Sequence, residues 1–179
     1  VHVKPDVLVR YNADVAEIAG PIAHLELAGR PVVILGAGGA ARAALAVARG
    51  LGGPVTLVNR SADRATALLA EMQVAGAVQA PGAPLPAAAL LINATSLGMT
   101  GQPPLDIDLA PLAPAACVFD CVYAPLDTPL LQAARARGLT TIDGLSMLIG
   151  QAASAFELFY GAPAPRQFDA ALRALLVKA

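Results

Sequence analysis

The run Pro31-Val32-Val33-Ile34-Leu35 leads straight into Gly36-Ala37-Gly38-Gly39-Ala40-Ala41. A short, unbroken apolar strand is covered on both faces, which belongs to a parallel sheet between helices rather than to a half-exposed hairpin. The chain leaving such a strand has to turn sharply and open a helix. Gly36 allows the tight turn, Gly38 lets backbone N–H groups approach a pyrophosphate, and Ala41 lets helix pack on strand. The backbone from Ala37 to Ala40, with Gly39 between, then presents a helix N-terminus with its partial positive charge. Strand, glycine turn and helix in this order predict a dinucleotide-binding βα unit.

The rest of the chain repeats the alternation. Strands are expected at Val32–Leu35, Val55–Val58, Ala77–Gln79, Leu90–Asn93, Val118–Val122 and Thr140–Asp143. Between most of them fit helices with readable ends: Ala40–Arg49 closed by Gly50, Ala62–Met72 capped by Ser61, and Pro129–Arg137 capped by Thr128. Leu145–Tyr160 and Gln167–Val177 follow as C-terminal helices. Before Val32 lie two short strands, Val1–Val3 and Val7–Tyr11, and a helical stretch from Asp14 to Leu27 interrupted at Gly20-Pro21. The fold class is α/β, a doubly wound parallel six-stranded Rossmann sheet.

The second informative stretch comes after the second strand of that sheet: Asn59-Arg60-Ser61-x-x-Arg64. Folds that bind NAD usually carry an acid here for the ribose 2′-hydroxyl. Two guanidinium groups and a hydroxyl stand there instead, a set suited to forked, charge-assisted bonds with a 2′-phosphate. The expected cofactor is NADP.

Composition closes off other classes. The 179 residues carry a net charge of −1 and no Lys/Arg block, so neither nucleic acid nor an anionic membrane is an expected partner. With 56% hydrophobic residues a membrane span has to be considered, but no run approaches the roughly 18 apolar residues one needs. Neither is there a basic segment leading into an apolar one, as in a secretory signal. Cys117 and Cys121 sit four apart on an expected strand, about 13 Å between Cα atoms, too far for a disulfide. Buried thiols in a reducing cytoplasm are expected. His2 and His24 are isolated, and no metal site is expected.

Further landmarks are less generic: Asn93-Ala94-Thr95-Ser96-Leu97-Gly98-Met99, Asp120-Cys121-Val122-Tyr123-Ala124-Pro125, Thr128-Pro129-Leu130-Leu131, and Gly144-Leu145-Ser146-Met147-Leu148 with Gln151-Ala152-Ala153. With the glycine turn and the arginine pair, this set resembles the shikimate dehydrogenase family from about Val7 to Gly161. The resemblance implies reversible reduction of 3-dehydroshikimate to shikimate with NADPH, a step of aromatic amino acid biosynthesis. It implies that Gly36, Ala37, Gly38, Gly39 and Ala40 hold the pyrophosphate. Asn59, Arg60, Ser61 and Arg64 would take the 2′-phosphate. Thr95, Ser96 and Met99 would lie along the crevice, and Cys121, Gly144 and Met147 would border the nicotinamide. Asn12, Tyr123 and Gln151 are implied to contact the substrate. Asn12-Ala13-Asp14 matches the family's N-T-D motif, so Asp14 corresponds to the catalytic aspartate.

Members of that family carry a substrate domain ahead of this motif, with a lysine that pairs with the aspartate. The expected division is therefore a remnant of that domain at 1–14, a linking helix at 15–28, the NADP-binding domain at 29–144 and C-terminal helices at 145–179. On this reading the chain is a fragment that lacks the catalytic lysine, since Lys4 and Lys178 stand in other contexts. Two alternatives stay open: a paralogue of quinate/shikimate type, and a non-catalytic NADP-binding module. The oligomeric state is left open.

Overall fold

The computed structural model describes residues 2–4, 7–9 and 14–178. Two short strands come first, β1 (His2–Lys4) and β2 (Val7–Val9), paired antiparallel. Helix α1 (Asp14–Ile22) is next, and then the alternating body: β3 (Val32–Leu35), α2 (Gly39–Leu51), β4 (Val55–Val58), α3 (Ala62–Glu71), β5 (Gly76–Gln79), β6 (Leu90–Asn93), β7 (Cys117–Asp120), α4 (Pro129–Ala136) and β8 (Thr140–Ile142). Helix α5 (Gly144–Tyr160) leads through a single 3₁₀ turn, Arg166–Phe168, into α6 (Asp169–Lys178).

Strands β3 to β8 form one six-stranded sheet, every neighbouring pair parallel, in the order β5-β4-β3-β6-β7-β8. The order reverses between β3 and β6, and a crevice opens there outside the carboxyl ends. The register makes those ends level. Leu35 pairs with Val58 on one side and Asn93 on the other, while Val58 pairs with Gln79 and Asn93 with Asp120. The segments that leave these residues all emerge at one rim.

The unbroken apolar runs are explained by two cores. Side chains alternate across a strand, so Ile34, Leu57, Ile92 and Phe119 enter one core with α1, α2 and α3. Their neighbours Val33, Leu91 and Val118 enter the other with α4 and the segment from Leu105 to Ala116. No helix joins β6 to β7; Leu109 and Leu112 of that connection fill the second layer instead.

Several boundaries differ from expectation. Gly50 lies inside α2, and the left-handed residue that ends this helix is Gly52, at φ 72°. The strand expected at Val118–Val122 runs from Cys117 to Asp120, because the Asp120 side chain captures the Val122 N–H and turns the chain. Likewise β8 stops at Ile142, since Asp143 caps α5. Pro21 falls in the last turn of α1, which ends at Ile22 rather than Leu27. The caps expected at Ser61 and Thr128 are present, each accepting from the backbone N–H three residues on. Among the described residues no helix is long and apolar enough to cross a membrane.

Candidate functional site

At the carboxyl rim of β3, β4 and β6 lies a cleft of about 940 Å³. Its floor begins at Gly36, which has φ 99° and accepts no side chain. A Cβ there would stand 2.9 Å from the Thr95 methyl and 3.0 Å from the Ala94 carbonyl oxygen. The turn therefore runs directly against the residues that leave β6. Gly38 is the N-cap of α2 without a side-chain cap bond, and Gly39 and Ala40 form the first turn, so backbone donors of a helix N-terminus are offered there.

One wall is made by Asn59, Arg60, Ser61 and Arg64. Ser61 caps α3 through the Arg64 N–H, and Asn59 folds back, donating Nδ2–H to the Ser61 carbonyl at 2.8 Å. Arg64 Nε donates to the Ala37 carbonyl at 2.9 Å. This bond ties the arginine end of β4 to the glycine turn after β3, and Arg64 also lines the cleft. Thr95, Ser96 and Leu97 line the other wall, with Gln102 and Asp106 further out.

Behind that wall is a polar cluster that sequence reading missed as part of the site. Asn93 and Asp120 are fully buried at the adjacent ends of β6 and β7. Asn93 Nδ2 donates to Asp120 Oδ1 at 2.9 Å and to the Leu97 carbonyl at 3.3 Å, and Asn93 Oδ1 accepts from Thr95 N and Oγ1 at 3.1 and 2.7 Å. Asp120 also accepts from Val122 N at 3.1 Å and from the Thr128 hydroxyl at 2.7 Å. Burial pushes the Asp120 carboxyl up, against the pull of these three donors. The available signal was chemical: a polar residue ending each of two apolar strands needs a buried partner.

The residues implied by the resemblance fall into two groups. Gly36, Asn59, Arg60, Ser61, Arg64, Thr95 and Ser96 line the cleft, and Ala37 joins them through Arg64. Met99 lies beyond, in a loop held by a Thr100 N–H to Ala124 carbonyl bond of 2.8 Å. The second group gathers where α5 starts. Gly144 is buried against the Cys121 and Val122 carbonyls, each 2.5 Å from where its Cβ would stand. Met147 is buried in the first core, and Gln151 Nε2 donates to Asp14 Oδ1 at 2.6 Å. Burial, then the charges of Asp120 and Asp14, push the Cys121 thiol up to about 12. Tyr123 is half exposed at 49%. Asn12 lies outside the described residues.

Below Gln151 the packing of α1 on α5 uses a second acid. Glu17 is buried, accepts from the Ser154 hydroxyl at 2.6 Å and occupies the space where a Gly150 side chain would be. At the other side of α5, Arg173 of α6 pairs with the capping Asp143. Among the described residues no cluster of three or more metal-binding side chains is found.

The chain matches the family Shikimate 5'-dehydrogenase C-terminal domain at residues 144–176. It is 57% identical over 171 residues to the shikimate dehydrogenase (NADP(+)) of Sphingopyxis alaskensis, covering 95% of this chain and 62% of that protein. A 5-ketofructose reductase from Gluconobacter sp. strain CHM43 superposes with a TM-score of 0.79 at 33% identity, over 94% of this chain and 64% of that one. The shikimate 5-dehydrogenase of Thermus thermophilus, solved with NADP(H) and shikimate, superposes with a TM-score of 0.73 at 32% identity, over 91% and 62%. The chain thus spans somewhat over three-fifths of each of these three proteins.

Proposed function

We propose that the chain belongs to the shikimate dehydrogenase family over the part it shares with those relatives, and that it forms the NADP-binding portion of an oxidoreductase that reversibly reduces 3-dehydroshikimate to shikimate. The observation that carries the cofactor assignment is the Arg60, Ser61 and Arg64 group on the wall of a cleft that starts at Gly36. These residues fit the group. Gly36 leaves no room for a side chain beside the pyrophosphate turn, and both arginines present donors matched to a 2′-phosphate.

When bound, the cofactor supplies or takes up a hydride at the nicotinamide ring. On this reading Gly36, Ala37, Gly38, Gly39 and Ala40 hold its pyrophosphate, and Asn59, Arg60, Ser61 and Arg64 hold the 2′-phosphate. Thr95, Ser96 and Met99 follow the crevice towards Cys121, Gly144 and Met147 at the ring. A ketone that receives hydride needs a proton on its oxygen. Asp14 is the residue we assign to that transfer, oriented by Gln151, with Asn12 and Tyr123 as substrate contacts. The bond between Asp14 and Gln151 supports this grouping. We divide the chain accordingly into a substrate-side element at 1–14, a linking helix at 15–28, the cofactor domain at 29–144 and C-terminal helices at 145–179. A small-molecule substrate and a cytoplasmic setting go with this reading, supported by two free thiols.

Titration of the chain with NADPH and NADH, followed by cofactor fluorescence, tests the cofactor assignment. At least tenfold tighter binding of NADPH is expected, on the order of one charge-assisted bond; equal affinity overturns it. The reaction itself is tested in a chimera that takes the unmatched part from the Sphingopyxis alaskensis relative. Shikimate-dependent reduction of NADP⁺, seen as absorbance of the reduced ring, is expected. A folded chimera that binds NADPH but leaves shikimate untouched overturns the reaction.

A further inference from the structure

We propose that the buried Asp120 carboxylate sets the balance between the two redox forms of the cofactor, favouring the oxidised, cationic nicotinamide over the reduced, neutral one; this rests on the NADP reading above.

The charge state of Asp120 is fixed by its partners. Thr128 Oγ1 accepts from the Leu131 N–H and donates its own proton to Asp120 Oδ2. Asn93 has its oxygen committed to Thr95 N and Oγ1, so its amide N–H₂ faces Asp120. Val122 N–H can only donate. An ionised carboxylate satisfies all three donors at once, whereas a protonated one would have to turn its O–H onto Thr128 Oγ1 and displace the threonine's own proton from this bond. The network of three donors thus favours the anion, against the burial that pushes this carboxyl up. It is 0% exposed, and among the described residues none of the ion pairs reaches it. Its hydrogen-bond donors are neutral, so its field is moderated but not cancelled, and bulk solvent does not reach it.

The fold directs that field. A doubly wound sheet holds its dinucleotide across the switch point, one nucleotide over each half. Arg60 and Arg64 mark the β3-β4-β5 half as the adenosine side, so the nicotinamide half falls to β6, β7 and β8. Asp120 ends β7. The oxidised and reduced cofactors differ by one positive charge on the ring and are otherwise alike in their anchoring groups. Their ratio of dissociation constants therefore reads the local field and little else.

The test is binding of NADP⁺ and NADPH to wild type, Asp120→Asn and Thr128→Val, by calorimetry, with folding checked by circular dichroism. Asn keeps the shape of the side chain and removes the charge, while its N–H₂ meets donors of the same network, which is why folding is checked. The ratio of the NADP⁺ to the NADPH dissociation constant should rise about three- to tenfold in Asp120→Asn, the scale of one charge acting through partly polar protein. Equal weakening of both, or an unchanged ratio, overturns the proposal and leaves Asp120 a purely structural residue. Thr128→Val removes one neutral donor, so with the carboxylate still ionised its ratio stays or falls, while a carboxyl that takes up a proton gives a rise that disappears towards about pH 9; a rise that persists there overturns the proposal even if Asp120→Asn does not fold. Asp14 is present in every variant and drops out of the comparison. A wild-type chain that binds neither form defeats the NADP reading instead.

Discussion

Gln151 Nε2 donates to Asp14 Oδ1 at 2.6 Å, joining two residues 137 positions apart. With the Glu17 to Ser154 bond one turn further along, it fixes α1 on α5 by two polar contacts on one seam. Gln151→Leu keeps the volume and removes the donor. A charge-assisted bond between partly exposed groups is worth about 1 kcal/mol, and chemical denaturation should show a loss of that size. NADPH affinity should stay within about twofold, since the seam lies on the α1 side of the helix; a larger loss would mean that α1 packing reaches the cleft.

Arg60 and Arg64 are not equivalent. Arg64 is committed through Nε to the Ala37 carbonyl, whereas Arg60 lines the cleft with no such tie. Arg60→Ala should weaken NADPH binding by about tenfold or more while leaving NADH nearly unchanged, the cost of one charge-assisted bond. Arg64→Ala should weaken both cofactors, because it also loosens the glycine turn to which we assign the pyrophosphate. Parallel titrations with the two cofactors separate these outcomes.

Two glycines near the end of α2 should respond with opposite signs. Gly50 is helical and has nothing within 4 Å of where a Cβ would stand, so Gly50→Ala should stabilise by about 0.5–1 kcal/mol. Gly52 sits at φ 72°, and Gly52→Ala should destabilise by about 1 kcal/mol. Thermal melts of both variants decide which glycine is the cap.

Periodicity, turn residues and cap residues make the sheet legible in sequence, because each strand here is short, apolar on both faces and ended by punctuation. The glycine turn and Arg60 are readable for the same reason: they depend on local backbone and on a neighbouring charge. The hidden part depends on register. Nothing local to Asn93 says that Asp120 stands beside it, and only the pairing of β6 with β7 brings them together. Gly50 reads as the cap of α2 although Gly52 fills that role, because the two are so close that a helix pattern cannot choose between them. The bond from Gln151 to Asp14 is a contact between distant helices that no spacing reports.

Acid should release α6. Burial raises the Asp143 carboxyl, but the Arg173 guanidinium and the Ser146 N–H outweigh it and hold Asp143 below the ordinary carboxylate range. A carboxyl depressed on folding adds stability above its unfolded value, near 3.9, and loses it as pH falls through the lower folded value. The pair is partly exposed, with Arg173 at 38% and Asp143 at 20%, so its contribution should be about 0.5–1 kcal/mol. Arg173→Gln should therefore be less stable than wild type by that amount at pH 6, with the gap closing as pH falls through the lowered folded value of Asp143. Denaturation curves at several pH values measure it.

Both thiols should be inert in the folded chain. Burial pushes Cys117 up to about 11, and burial with two neighbouring acids pushes Cys121 up to about 12. Thiolate is the reactive form, so alkylation by iodoacetamide at about pH 7.5 should be slow in the native state and complete after unfolding. Rapid native labelling of Cys121 would show that the start of α5 opens.

Helix α5 meets the chain at two places where no side chain fits. Gly144 lies on the Cys121 and Val122 carbonyls, and Gly150 lies on Glu17. Six residues apart, on a rise of about 1.5 Å each, these two bare patches are roughly 9 Å of rigid rod. A rod gripped at two points cannot roll or slide by itself. Any displacement of α1 at Glu17 must then be delivered to the Cys121 end as a tilt, so the helix works as a short lever between the α1 seam and the end of β7.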